Sequence, residues 1–271
     1  MSSYAITGAS RGLGREFVRQ FCQNPFNIVF ALVRSPDSAT KLKELSQENT
    51  NIHIIKADVT NPQSMIDAAA QISAISGDKL DVLIHNAVAY NQASAHLTPS
   101  QIPLDEEATH QMFGDALSTS LYGMIWATNA FLPLIENGTS KKIIHLSTAL
   151  VDQDVTKKVG MAQQVDYVVG KAALNVLVAK YAVELESKGI KMLAIAPGWV
   201  DTYDGPLPKP TELEAMNAEI LRRFQKADPN FGAGQLTMED SVRMQLEVIA
   251  GLDMEQSGTF VSHHGDQSWS Q

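Results

Sequence analysis

Thr7-Gly8-Ala9-Ser10-Arg11-Gly12-Leu13-Gly14 lies between two short segments of different periodicity. Before it, Tyr4-Ala5-Ile6 reads as a strand; after it, Arg15 to Phe21 places Phe17, Val18 and Phe21 at helical spacing. A strand, a glycine turn and a helix bring free backbone N–H groups and the positive helix end to one point. A pyrophosphate can sit there. The spacing is G-x-x-x-G-x-G rather than G-x-G-x-x-G, and a turn without a ligand would use the same glycines. The rest of the chain decides for a dinucleotide cradle.

The next apolar run, Asn27 to Val33, has no polar face and suits an interior parallel strand. It ends at Arg34, where a dinucleotide fold meets the adenosine ribose. An acid there binds the 2′-hydroxyl of NAD, whereas an arginine accommodates the 2′-phosphate of NADP. Arg34 and Arg11 therefore favour NADP(H), and Asp37 reads as a cap for a helix starting near Ser38.

The alternation continues. Strands are expected over Asn51–Ala57, Leu80–His85, Lys142–Leu146 and Lys191–Ala196, with helices over Asn61–Ile75 and Glu106–Ile135 between them. Such alternation implies parallel strands, right-handed crossovers and ligands at the strand carboxyl ends. Gly8, Arg34, Asp58, Asn86 and Ser147 all fall there. The predicted architecture is one α/β domain over 1–271: a Rossmann-type, doubly wound parallel sheet of about seven strands with helices on both faces.

Composition narrows the function. The 271 residues carry a net charge of −9, from 30 acidic and 21 basic side chains, which argues against nucleic acid as a partner. Cys22 is the only cysteine, as expected in a reducing compartment. No apolar run reaches membrane-span length and no signal-peptide pattern opens the chain. A soluble, cytoplasmic protein with no membrane partner and no metal site is expected.

Tyr167 and Lys171 stand four apart at the start of an apolar helix reaching about Leu185, on one helix face. A neighbouring ammonium favours phenolate and lowers a tyrosine pKa, which would make Tyr167 a general acid. The pair alone is common on amphipathic helices.

In combination the motifs are more specific. Thr7 to Gly14, Asp58-Val59, Asn86-Ala87, Ser147-Thr148, Tyr167 with Lys171, and Pro197-Gly198-Trp199-Val200-Asp201-Thr202 occur in the order seen in short-chain dehydrogenases/reductases. The resemblance spans nearly the whole chain. Ser257 to Val261 through Trp269 resembles the ending of the carbonyl-reductase branch, with its sniffer-like and fungal ketoreductase members.

The resemblance implies that Gly8, Gly12, Leu13 and Gly14 hold the pyrophosphate, with Ser10, Arg11 and Arg34 around the 2′-phosphate. It places Asp58 and Val59 beside the adenine and Asn86-Ala87 under the adenine-side ribose. Lys171 would hold the nicotinamide ribose, Tyr167 would protonate the carbonyl oxygen, and Pro197, Gly198, Val200 and Thr202 would fix the carboxamide. Homodimers or homotetramers through two long helices, including apolar Ala172–Ala182, are a further implication.

Three departures stand out: His85-Asn86-Ala87-Val88 for Asn-Asn-Ala-Gly, Ser120 for the Asn three residues before Gly123, and Ser147-Thr148 for Ser-Ser. In the family the replaced Asn holds a relay water, which Ser120 would reach less well or lose, and the second hydroxyl contacts the carbonyl, which implies Thr148 with Ser147 as the alternative.

Three segments flank the expected pocket. Ala149–Asp166 reads as a solvated insertion carrying Asp152, Asp154, Lys157 and Lys158, with Asp166 as a helix N-cap. Tyr90–Asp105 reads as a surface loop. Tyr203–Leu236 reads as a substrate lid in which Pro206, Pro208 and Pro210 prevent regular structure and Thr211–Lys226 is helical, with Met216, Leu221 and Phe224 as candidates for its inward face or, alternatively, core residues. Together these features lead to an NADPH-dependent reductase of a ketone, or related imine, in a medium-sized apolar molecule of natural-product type. A non-redox cyclase or isomerase using NADP structurally, and an NADP-sensing binding protein, are the alternatives.

Overall fold

The computed structural model describes residues 2–202, 210–229, 231–232 and 234–269. Its sheet has seven parallel strands, β1 (Ser3–Thr7), β2 (Ile28–Val33), β3 (Ile52–Lys56), β4 (Val82–His85), β5 (Lys142–Leu146), β6 (Lys191–Ala196) and β7 (Thr259–Ser262), in the order β3-β2-β1-β4-β5-β6-β7. The chain runs outward from β1 to β3, then returns to the other side of β1. That reversal leaves a crevice between the carboxyl ends of β1 and β4, where ligands of such sheets bind.

Strand side chains alternate between two buried layers. Ala5, Phe30, Leu32 and Ile143 face the layer formed with α3 (Pro62–Ser76), α5 (Gly123–Asn137) and α7 (Val165–Leu185). Ile6, Val29, Ala31 and Ile144 face α1 (Gly12–Cys22), α2 (Thr40–Glu48) and α9 (Met238–Gly251). Burial on both faces explains why the strands read as continuous apolar runs.

At the opposite end of the sheet a buried carboxylate binds the centre together. Asp81 accepts hydrogen bonds from Ser3 N (2.8 Å), Ser3 Oγ (3.0 Å), Thr139 N (2.7 Å) and Ser140 N (3.2 Å). Burial alone would raise its pKa, but these donors outweigh burial and hold it below the usual carboxylate value.

The long helical stretch is interrupted. α4 (Glu106–Leu117) passes through a π-helical turn at Ser118–Tyr122 into α5. A Cβ on Gly123 would meet Val59 O at 3.0 Å and Ser118 O at 3.2 Å, so the helix crosses the β3–α3 connection at glycine distance. The π turn carries Ser120 into the interior.

Several local expectations are corrected. Asp37 caps no helix: α2 starts after Ala39, and the exposed Asp37 carboxylate pairs with Lys43 at 3.4 Å. The Ala149–Asp166 segment is largely ordered, because Asp152 caps α6 (Gln153–Val159) by accepting from Asp154 N and Val155 N. The N-cap of α7 is Gln164; Asp166 is buried inside the first turn, where Ser94 donates to it. Pro210 opens α8 (Pro210–Ala227) instead of preventing it, since the first helical position needs no N–H donor. The expectations at Tyr203, Pro206, Pro208 and the Met216 side chain lie outside the described residues. Among the described residues, no helix is long and apolar enough to cross a membrane.

Candidate active site

The glycine turn is shaped by close approach. Gly8 (φ +67°) and Gly12 (φ +57°) occupy the left-handed region. A Cβ on Gly8 would lie 2.8 Å from Ala87 Cα, and one on Gly14 would lie 2.4 Å from both Asn86 Nδ2 and Gly8 O. Asn86 secures that contact by donating its side-chain amide to Thr7 O (3.0 Å) and Gly8 O (3.1 Å). Thr7 Oγ1 accepts from the backbone N–H groups of Asn86 and Ala87, each at 3.1 Å.

α1 starts directly at this turn, with no side-chain cap and no acid in its first turn. Its leading N–H groups and positive end suit an anion. Ser10 stands in the turn, and Arg11 and Arg34 are exposed at its rim. The residues present thus fit a phosphorylated dinucleotide.

A second loop closes over the first. Leu236 N donates to Trp199 O (2.8 Å), and Asp201 N donates to Leu236 O (3.1 Å), forming a parallel bridge opposite Val200. In an extended segment this leaves the N–H and C=O of Val200 on the other edge. Pro197 O is fixed by Ser241 Oγ at 2.6 Å, and Gly198 turns the chain with φ +85°. Thr202 then lies beside Gly12, its Cβ 3.7 Å from where a Gly12 Cβ would stand.

Two of the candidate side chains, Tyr167 and Lys171, stand on α7. Tyr167 is half-buried and its hydroxyl hydrogen-bonds with Thr148. Lys171 is buried and donates from Nζ to Leu146 O at 2.6 Å, at the end of β5. Ser147 faces elsewhere, its hydroxyl donating to Asn175 Oδ1 at 2.8 Å. The hydroxyl turned to the phenol is that of Thr148.

Electrostatics differ from the expected pattern. Burial pushes Tyr167 up to about 12, with nearby Tyr90 adding to the rise and the Thr148 hydrogen bond opposing it. Burial takes Lys171 down to about 8. The expected lowering of the phenol pKa by Lys171 is overturned, because desolvation disfavours both charged forms.

Ser120 is buried and Val59 partly buried. They line a small space of ≈ 10 Å³ with Thr7, His85, Ala87 and Thr119, about the size of one water molecule. Asp58 accepts from Thr60 N (3.0 Å) and Thr60 Oγ1 (2.7 Å), so its carboxylate closes a local turn.

Two features are new to the structure. His85 and His145 stack at 4.3 Å with an 8° interplanar angle, both fully buried, beside the Lys171 charge. Tyr90 packs edge-on against Tyr167 at 5.8 Å and 73°. Nothing local marks Tyr90; only its place after the strand-end Asn86-Ala87 would have suggested it. Among the described residues no group of three or more His, Cys, Asp or Glu side chains could hold a metal ion.

The family model described as short chain dehydrogenase matches residues 3–205. The Arthrinium short-chain dehydrogenase/reductase atnB is 45% identical over 273 residues, covering 99% of this chain and 100% of that protein. The Aspergillus aculeatus short-chain dehydrogenase/reductase AacuF is 38% identical over 275 residues, covering 99% and 100%. Among solved structures, the NADPH-bound carbonyl reductase from chicken fatty liver superposes with a TM-score of 0.77 at 25% identity, covering 98% of each chain. A glycine cradle at the sheet's crossover, a phenol and buried ammonium four residues apart, and these matches across the chain place the protein in the short-chain dehydrogenase/reductase family of nicotinamide-dependent oxidoreductases.

Proposed function

We propose that the protein is an NADPH-dependent reductase acting on a ketone, or the related imine, of a medium-sized apolar molecule, as a tailoring step in secondary metabolism. The observation that carries this reading is the Thr148–Tyr167 hydrogen bond on the face that also bears Lys171. A reduced nicotinamide supplies the hydride when bound.

The chain's own groups do the rest. Thr148 and Tyr167 both direct hydroxyls at a substrate oxygen, and Tyr167, protonated at neutral pH, gives up its proton as negative charge develops on that oxygen. Lys171 is anchored by Leu146 O, so its remaining N–H donors serve the cofactor ribose and its charge stabilises the phenolate left behind. Val200 backbone and Thr202 orient the carboxamide, while Gly8, Gly12, Leu13 and Gly14 receive the pyrophosphate.

NADPH is favoured over NADH by Arg11 and Arg34 at the rim, and by Asp37 being paired with Lys43 instead of presented to a ribose. The NADPH-bound chicken carbonyl reductase supports the same choice. The reading includes a cytoplasmic homo-oligomer and a substrate lid over 203–236.

Tyr167→Phe keeps NADPH binding and lowers turnover by about 10²- to 10⁴-fold, the usual range for a lost general acid. Fluorescence titration with NADPH and a ketone-dependent NADPH oxidation assay check the two halves separately. Unchanged turnover removes Tyr167 from the mechanism, and product formation without stoichiometric NADPH oxidation returns the non-redox alternative.

A further inference from the structure

We propose that Tyr90 determines which carbonyl compounds the site accepts: its ring forms a wall beside the Tyr167 hydroxyl against which a flat unsaturated ring rests, so the substrate class is an aryl or cyclic conjugated ketone. This deepens the reductase reading and rests on it.

The first support is position. The rings of Tyr90 and Tyr167 are 5.8 Å apart and nearly perpendicular, and Tyr90 remains 48% exposed. A carbonyl oxygen bonded to the Tyr167 hydroxyl sits about 2.6–3.2 Å from it, so a ring joined to that carbonyl carbon reaches the open surface of Tyr90. Among the described residues, Trp199, Phe224 and Phe231 are engaged with each other: Trp199 stacks on Phe224 at 6.2 Å and Phe224 on Phe231 at 4.6 Å. Among the described residues, Tyr90 is the ring that packs against the Tyr167 phenol.

The second support is the way Tyr90 is held. Gln164 Nε2 donates to the Tyr90 hydroxyl at 3.2 Å, and Gln164 N donates to Ala95 O at 3.1 Å. To do so Gln164 adopts φ +61°, a left-handed conformation costly for a residue with a side chain. Two residues further, the buried Asp166 carboxylate accepts from the buried Ser94 hydroxyl at 2.8 Å. Strain and a buried charge flank the catalytic tyrosine, and both fix the Tyr90–Ala95 loop onto the start of α7. A loop that merely covered the surface would need neither.

The third support is charge. A tyrosine is neutral at ordinary pH, and here burial first and the Asp166 carboxylate second raise the Tyr90 pKa further, against the Gln164 hydrogen bond. The wall is therefore an uncharged aromatic surface, suited to edge or face contact with another π system.

The test compares α-tetralone, an aryl ketone, with its saturated counterpart α-decalone, using the full-length protein and NADPH. The wild type is expected to prefer α-tetralone in kcat/KM. Tyr90→Leu lowers that preference by about 2- to 10-fold, the range of one aromatic pair, chiefly through KM. Tyr90→Phe retains it. Ser94→Ala, which releases the loop from Asp166, lowers it without changing NADPH affinity, and carries the comparison should Tyr90→Leu fail to fold.

An equal preference in wild type and Tyr90→Leu overturns the role of Tyr90 and leaves the reductase reading standing. No turnover of α-tetralone by the wild type overturns the substrate class. Turnover of either ketone that survives Tyr167→Phe defeats the reductase mechanism itself, whatever the preference.

Discussion

Burial is the strongest chemical influence on individual residues near the site. It drives Tyr167 up to about 12 and Lys171 down to about 8, and it acts on two imidazoles that the mechanism does not use. His85 falls to about 3 and His145 well below its ordinary value, with burial first and the neighbouring charges second. Both are neutral in the folded protein and titrate near 6.5 once unfolded. Their contribution to stability is thus complete above about pH 6.5 and is lost as pH falls toward the folded values, because the unfolded chain binds the extra protons. His85 Nε2 has Thr128 Oγ1 at 3.2 Å, but neither ring nitrogen of His145 has a protein hydrogen-bond partner. His145→Leu is expected to raise the melting temperature, by relief of about 1–3 kcal/mol of unmet hydrogen bonding, and to flatten its decline in acid. Thermal melts of both proteins from neutral to acidic pH check this. The Tyr-x-x-x-Lys spacing was readable because four residues of helix are local. The sign of the Tyr167 shift was not, because the groups that desolvate it come from distant parts of the chain. Asp166 was misread for the same reason: an acid at a helix start suggests a cap, and its partner Ser94 is 72 residues away.

At the scale of elements, strand positions followed from composition, since a strand buried on both faces has to be apolar throughout. The π turn at Ser118–Tyr122 left no such mark. It arises where α5 packs against Val59 at glycine distance, a contact between segments about sixty residues apart. The outer face of α7 is legible again: Val169, Val176 and Val183 recur every seven residues and are 44%, 61% and 77% exposed. A valine stripe in water fits a surface covered by a second copy of the chain, the homo-oligomer of the proposed function. Val176→Glu is expected to shift the solution mass toward the 29.5 kDa of a single chain, leaving the helical circular dichroism unchanged. Light scattering on the eluting protein measures it, and a wild type already at that mass removes the oligomer from the reading.

For the whole molecule, the parallel sheet collects the ends of β1, β4, β5 and β6 along one rim, and the glycine turn, Asn86, Thr148 and the Pro197–Thr202 loop all emerge there. This convergence was legible because alternating strands and helices admit few topologies. The loops above the rim were less so, since their packing depends on pairs such as Gln164 with Tyr90 and Arg223 with Gly160 O. A ligand held by so many segments stabilises the folded state as a whole, by about 2.7 kcal/mol at a hundredfold excess over its Kd. NADPH should therefore raise the melting temperature more than NADH does. Arg34→Asp should weaken NADPH by about 10- to 100-fold, as for the loss of a hydrogen bond to a charged group, and narrow that difference. Equal shifts from the two nucleotides in the wild type would remove the NADP preference.

The Asp81 clasp has a consequence for how the protein is made. Ser3 belongs to an interior strand, yet its second neighbour ends only at His85, and the carboxylate that receives it is not fully bonded until Thr139 and Ser140 arrive. On the ribosome, the first three strands therefore keep an open flank beside β1 until β4 emerges, and the carboxylate that clasps them stays partly unbonded until half of the polypeptide has been made. Slow codons or a stalled ribosome before β4 is made would leave that flank exposed to aggregation, whereas a pause beyond residue 146 would find it covered by two further strands.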